Sequence, residues 1–442
     1  MYNVLFLYNA SQTYTNTVYE HAASFGNYSN NRYFYLHQDD SSVTNVDSRR
    51  FDAIALHYSV RLPYDQVSET TCSLFENFQG LKILYIQDEY DHTYKAWAWI
   101  KRLKINLVFT VVPAENIEKI YPAEHFPGVR FISVLTGYVP HDLSGLLGDS
   151  RPSERPITIA YRGRPLPSRY GRLGEEKVQI GKMVKAYCLK NGIPCDIEWT
   201  EEARIYGPSW YDFMKSCRAM LGSESGSNVF DWDGDLQQKI RKYREENPEH
   251  DDQEVCHAVV SAHEEPGLMN QISPRVFEAI VAKTVLVLFE GKYSNVLKPG
   301  VHYLSLRKDG SNLPEIIAAL NDSELVDSMA DRAYKEIISE GNYSYSEFVR
   351  KTDLAISDLI LQNKISSQRG SVFSSSSIQP SLLTTMPVRA LSTVVPPAIT
   401  FPLFNANLSR IVLDRLVPVW MALPSGIRTP LTPVIKKILR AK

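Results

Sequence analysis

The chain has 442 residues, 44% of them apolar and 22% charged, and a formal net charge of −2. That length exceeds what one core holds, so two domains with an appendage are predicted, of ordinary globular composition. The near-neutral balance excludes the overall attraction to nucleic acid that a strongly basic chain would have.

In chain order, short apolar runs alternate with longer helical stretches. Residues 4–8, 53–57, 82–86, 107–111 and 131–135 read as buried parallel strands. Helices are predicted between them at 17–25, 69–78, 95–104 and 114–120. This βαβα rhythm predicts an open, doubly wound sheet. A Gly/Ser/Pro/Arg stretch at 146–156 reads as a linker, and a second α/β series follows. Its strands are expected at 157–161, 196–199, 219–222 and 285–289. Its helices are expected at 175–191, 210–217, 275–282, 313–321 and 323–339, with a last helix at 345–361. The fold class predicted is α/β, two facing Rossmann-like domains, and the default ligand site is the cleft at the carboxyl ends of their strands.

Beyond that helix the character changes. Residues 366–385 are Ser-rich and many prolines follow, so disorder is expected. From Ile365 onward there are nine Lys/Arg against one acid, Asp414, which leaves −10 on the first 364 residues. Val434, Ile435, Ile438 and Leu439 share one helical face, with Lys436, Lys437 and Arg440 on another. Short basic amphipathic helices on a tether read as a clamp on an anionic membrane surface, or as a tail that packs on protein. Five scattered cysteines without metal spacing read as reduced thiols of a cytoplasmic protein. No apolar run is long enough for a predicted transmembrane helix.

The strongest local signal is Ser273-Pro274-Arg275-Val276-Phe277-Glu278 before a strand. Ser273 is expected as N-cap and Pro274 at the first helical position, so the helix starts sharply with its positive end toward a loop. That suits a nucleotide diphosphate, with Arg275 adding charge and Glu278 near ribose hydroxyls. The plainer reading is a capped helix with Phe277 in the core. Taken by themselves, Arg162, Arg164 and Lys177 read as surface charges on a loop. Ser223, Glu224, Ser225 and Gly226 follow a strand and are small or polar enough to approach a ligand. Asp231-Trp232-Asp233 reads as an Asx-type turn and not a metal site. In the first half, Asn9, Thr15 and Asn16 leave the first strand, and His57 leaves a second. His21 lies one turn into the first helix. Asp88 and Glu89 leave a third strand, where a carboxylate could take a proton from an acceptor hydroxyl.

The run S-P-R-x-F-E-A, a following strand and the turn Lys298-Pro299-Gly300-Val301 resemble the donor half of group 1 glycosyltransferases, the family 4 enzymes of GT-B fold. Stretches such as Tyr161-Arg162-Gly163-Arg164-Pro165 are similar to a bacterial surface-polysaccharide subgroup, and the likeness covers about residues 1–360. In the wider family a strand–loop with Arg and then Lys neutralises the donor phosphates, so the resemblance implies that role for Arg162, Arg164 and Lys177. A second glutamate usual in the family is replaced here by Asn270.

The resemblance implies an N-terminal acceptor-side domain at 1–150, a nucleotide-sugar-binding domain at 151–343 and a crossover helix at 344–364. A disordered linker at 365–405 and a basic amphipathic tail at 406–442 complete the expected layout. It implies a hexosyltransferase-type enzyme that moves sugar from a nucleoside-diphosphate sugar to a glycan or lipid-linked acceptor, with retention. No cofactor or metal is expected, since protein cations would stabilise the leaving group, and cleft closure would assemble the site. The protein is expected in the cytoplasm, on the inner face of the membrane through its tail. The rival readings are a non-catalytic nucleotide-sugar-binding protein and a nucleotide-sugar epimerase.

Overall fold

The computed structural model describes residues 1–12, 16–143, 145–148 and 150–362. The linker and tail expected at 365–405 and 406–442 lie outside the described residues, as does Thr15.

The first sheet contains β1 (Asn3–Tyr8), β2 (Arg32–His37), β3 (Ala53–Leu56), β4 (Leu81–Ile86), β5 (Leu107–Thr110) and β6 (Arg130–Ser133). All are parallel, in the order β2-β1-β3-β4-β5-β6. The connecting helices are α1 (Asn16–Tyr28), α2 (Glu69–Asn77), α3 (Thr93–Arg102) and α4 (Ile117–Ile120). β3, β4 and β5 are buried at every position, which is why they read as continuous apolar runs: helices cover both faces.

The second sheet contains β7 (Ile157–Arg162), β8 (Cys195–Glu198), β9 (Cys217–Gly222), β10 (Val285–Phe289) and β11 (Tyr303–Leu306), in the order β11-β10-β9-β7-β8. Its helices are α5 (Gly171–Lys190), α6 (Pro208–Lys215), α7 (Asp235–Glu246), α8 (Asp252–Val255), α9 (Pro274–Val281), α10 (Leu313–Asn321) and α11 (Ser323–Ala333). A π-helical turn, Tyr334–Ser339, extends α11. α12 (Tyr345–Gln362) then returns to the first domain, where Phe348, Val349 and Ile356 join the core of Phe6 and Phe25. Asp353 of α12 accepts from Ser29 Oγ (2.7 Å) and the Asn30 amide (2.8 Å) beyond α1. Two facing Rossmann-like domains with a helix crossing back make the GT-B arrangement.

Four elements are not legible in the sequence as strand or helix. β2 and β11 are edge strands, where one flank lacks a partner and the buried run is broken by partly exposed positions. α7 and α8 lie in the long connection from β9 to α9, and α7 is mostly polar with only Leu236 buried. Within the segment expected as a linker, Leu146 and Arg155 are packed, 0% and 2% exposed. Arg155 donates to the carbonyls of Cys217 (3.0 Å) and Ala282 (2.8 Å) and to Thr284 Oγ1 (2.7 Å).

The β9–α9 connection also joins the domains. Phe230, Leu268 and Met269 enter the apolar core of the first domain. The Asp231 amide donates to the Tyr90 carbonyl (2.8 Å) and the Tyr94 amide to the Trp232 carbonyl (2.8 Å). Asn116 Nδ2 reaches the Leu268 carbonyl (2.8 Å), and Thr136 Oγ1 the Ile272 carbonyl (2.6 Å).

Candidate functional site

Both sheets reverse their winding next to their first strand, at β1/β3 and at β7/β9. Strand ends diverge at such switch points and leave crevices for ligands. The residues leaving β1, β3 and β4 therefore face those leaving β7, β9 and β10.

On the second domain, Ser273 occupies the N-cap position of α9 (φ −82°, ψ 139°) and Pro274 the first turn. Ser273 makes no side-chain capping bond, contrary to expectation. Glu278, one turn in, accepts from Trp210 Nε1 (2.9 Å). Burial pushes its pKa up, against the Trp210 hydrogen bond and the charge of Arg275. The Arg275 guanidinium stacks over the Trp210 ring (5.1 Å) and donates to the Arg162 carbonyl (2.9 Å). Lys177 of α5 donates to the Glu224 carbonyl (3.1 Å) and Ser225 Oγ (3.2 Å). Burial and the nearby Arg275 push its pKa down to about 8, against Glu176 and Glu224. Arg164 is exposed and has no hydrogen bond or ion pair among the described residues. Lys177 and Arg275 thus form an electropositive rim at the carboxyl edge of the sheet, and Arg164 lies exposed two residues beyond β7.

Arg162 is not part of that rim. Its guanidinium pairs with Asp196 (2.8 Å), donates to the carbonyls of Tyr161 and Ala203, and lies over the Phe213 ring (4.2 Å). These contacts use the whole donor fork, so Arg162 fastens β7 to β8. Ser223 and Glu224 are also scaffold, 5% and 4% exposed. Glu224 accepts from the Lys292 (3.1 Å) and Tyr293 (2.8 Å) amides and from Asn270 Nδ2 (2.5 Å). It holds a turn in which Tyr293, Ser294 and Asn295 all have positive φ. A Cβ at Gly226 (φ 94°) would fall 2.0 Å from the Met269 carbonyl oxygen, so only glycine fits there. Ser225 is held beside it by paired backbone bonds to Gln271 (2.7 and 2.8 Å). Asp231 caps α7, accepting from the Gly234, Leu236 and Gln237 amides at 3.0–3.2 Å, as an Asx-type reading expects.

On the first domain, Asn9 Oδ1 accepts from the Ser11 amide (3.0 Å) and shapes the loop after β1. Asn16 begins α1. His57 does not line the cleft. It is 0% exposed and bonded to His21 (3.0 Å) and Ser59 Oγ (2.9 Å) beneath Tyr58 and Phe6. Burial lowers the pKa of both rings, that of His21 to about 3. The Ser59 amide donates to His57 Nδ1, so His57 Nε2 carries the proton shared with His21.

The adjacent carboxylates separate. Asp88 stands in the left-handed region (φ 59°) with its side chain 48% exposed, accepting from the Tyr90 hydroxyl (2.7 Å) and paired with Arg61 (3.4 Å). Glu89 points the other way: it is 0% exposed and accepts from Thr110 Oγ1, while Oε2 has no partner. Burial pushes its pKa up to about 8. A ligand in the cleft cannot reach it, so Glu89 is a core residue and, of the two carboxylates, Asp88 is the exposed one.

Two residues were missed. In the sequence Trp210 marks only the start of a helix; it meets S-P-R-x-F-E, whose Glu278 lies 68 residues further on, only in the fold. Glu20 of α1 faces Glu278 across the domain boundary, and its pKa rises to about 7. Burial, the Glu278 charge and Asp142 raise it, against a hydrogen bond from the His141 amide. Nothing local in the sequence pairs residues so far apart. Among the described residues no group of three or more His, Cys, Asp or Glu is arranged to hold a metal, and no helix is long and apolar enough to cross a membrane.

No family model and no curated protein matches the chain. Solved structures similar to it include Anabaena HepE in complex with UDP and glucose, at 10% identity and TM-score 0.46, over 81% of this chain and 100% of that one. An alpha-glucosyltransferase in complex with UDP and a 13-mer DNA containing an HMU base is 11% identical with TM-score 0.47, over 80% and 99%. Sucrose-phosphate synthase from Thermosynechococcus elongatus is 10% identical with TM-score 0.44, over 82% and 100%. The architecture rests on the strand order itself and not on these distant likenesses.

Proposed function

We propose that this chain is a glycosyltransferase that moves a sugar from a nucleoside-diphosphate sugar to an acceptor hydroxyl. The observation that carries the reading is the cluster of Lys177, Arg275, Trp210 and Glu278 at the β7/β9 switch point. Two cations and the start of α9 suit a diphosphate, while a half-buried carboxylate one turn away suits a ribose diol. Negative charge that grows on the leaving diphosphate is stabilised by Lys177 and Arg275, held by their neighbours, with Arg164 adding its charge from the loop after β7. In this reading the protein cations make a metal unnecessary. As the acceptor oxygen bonds to the anomeric carbon, its O–H bond breaks toward Asp88, and the carbon–phosphate-oxygen bond breaks with its electron pair going to the diphosphate. Retention, a role in glycan or surface-polysaccharide synthesis, and residence on the inner membrane face through the basic tail belong to the same proposal.

A thermal-shift screen of UDP, GDP and their sugars against wild type and Glu278→Ala tests it. Stabilisation by one base, lost in the variant, supports the donor site. No shift with any nucleotide sinks the reading. A ligand that binds but is neither hydrolysed nor transferred favours the non-catalytic alternative, and interconversion of the donor sugar without acceptor favours an epimerase.

A further inference from the structure

The turn after β4 carries two non-glycine residues in the left-handed region, Asp88 (φ 59°) and His92 (φ 47°). Side chains other than glycine hold that conformation only where their surroundings enforce it. Here much of the enforcement comes from the other domain. Arg169 pairs with Asp91 (3.2 Å), whose side chain is 3% exposed and also accepts from the Tyr64 hydroxyl (2.6 Å). The Tyr90 ring packs edge-on against Tyr170 and Phe230, with centroids 5.5 and 6.4 Å away. The Tyr90 carbonyl accepts from the Asp231 amide (2.8 Å). From this clamped position the Tyr90 hydroxyl donates to Asp88 Oδ1 (2.7 Å). Burial and the Asp88 charge hold the phenol well above its ordinary pKa, so it acts as a donor throughout the working range.

We propose that Tyr90 is the positioning residue of Asp88, and that the second domain, through Arg169, Tyr170 and Phe230, aligns the carboxylate that serves the acceptor. The inference rests on the reading of Asp88 as the group that takes the acceptor proton. It adds that this group, though carried by the first domain, is correctly aimed only while the seam between Asp91 and Arg169 is closed. A broad opening of this side of the cleft would therefore switch the carboxylate out of register.

Two measurements on the full chain test it. Hydrogen exchange is followed in wild type and Arg169→Ala. Amides of residues 88–94 should exchange about tenfold faster in the variant, with β3 and β5 unchanged. Unchanged exchange at 88–94 overturns the clamp. Hydrolysis of UDP-glucose and GDP-mannose is then compared in wild type, Asp88→Asn and Tyr90→Phe, which keeps the ring and deletes only the hydroxyl. Tyr90→Phe should lower kcat about tenfold with KM for the donor unchanged, a smaller effect of the same kind as Asp88→Asn. If Asp88→Asn lowers kcat and Tyr90→Phe does not, the positioning role is wrong. If Asp88→Asn leaves kcat intact, the base assignment fails and takes the proposal with it, whereas loss of donor binding altogether would identify a failure of the functional reading.

Discussion

The indole nitrogen of Trp210 donates to Glu278 Oε2 at 2.9 Å while its ring face supports the Arg275 guanidinium. One side chain thus orients both an anion-binding cation and a hydroxyl-binding carboxylate. Trp210→Phe keeps much of the ring and removes the N–H. Nucleoside-diphosphate affinity, read by calorimetry, should fall about tenfold or more, since a hydrogen bond to a charged group contributes about 1.5–3 kcal/mol. An unchanged affinity would show that Glu278 needs no such support.

Lys177 predicts the pH dependence of binding. Its pKa in the free protein is pushed down to about 8 by burial and Arg275, so it is charged below that value and neutral above it. A diphosphate favours the charged form, so affinity should hold below about pH 7 and weaken as pH rises through 8, with proton uptake on binding. Lys177→Met should bind weakly and lose that pH slope. Calorimetry in two buffers of different ionisation enthalpy reads the uptake directly.

Glu89 predicts a stability effect of definite sign. Its folded-state pKa, about 8, lies above that of an unfolded glutamate, so the fold holds a proton the unfolded chain releases. Stability from this group is present at low pH and is lost as pH rises through 8. Glu89→Gln, which has no such proton to lose, should therefore gain on wild type as pH rises from 5 to 9. Denaturant melts at the two pH values check it; a constant difference would place the carboxylate in contact with water.

Gly226 should tolerate no side chain. An added Cβ meets the Met269 carbonyl oxygen at 2.0 Å, and φ of 94° is strained for any L-residue. Gly226→Ala should displace Ser225 and its bond to Lys177, lowering nucleotide affinity and costing about 1–3 kcal/mol of stability. Full affinity in that variant would mean the loop after β9 does not shape the site.

Much of the fold was legible because its central strands are apolar on both faces and its helices carry clear periodicity. β10 matches the sequence expectation of residues 285–289 to the residue. Edge strands β2 and β11 gave no such run. The mostly polar helix α7 was missed too, because no covering layer demanded an apolar face.

The site was legible in part. S-P-R-x-F-E marked the start of α9 and Glu278, and Lys177 was read as a cation near the donor. Local pattern could not tell Arg164, which has no pair among the described residues, from Arg162, whose fork Asp196 and two carbonyls occupy. Nor could it tell Asp88 from Glu89, neighbours that a positive φ turns to opposite sides of the turn.

By itself, then, the sequence determined where the buried central strands and the amphipathic helices form, since apolar periodicity acts over a few residues. Only the tertiary structure decided which charges stay free. That outcome depends on partners brought together from distant positions, as Glu20 is to Glu278 and Asp91 to Arg169. Burial and pairing set the chemistry of a carboxylate or guanidinium, and both are properties of the packed chain.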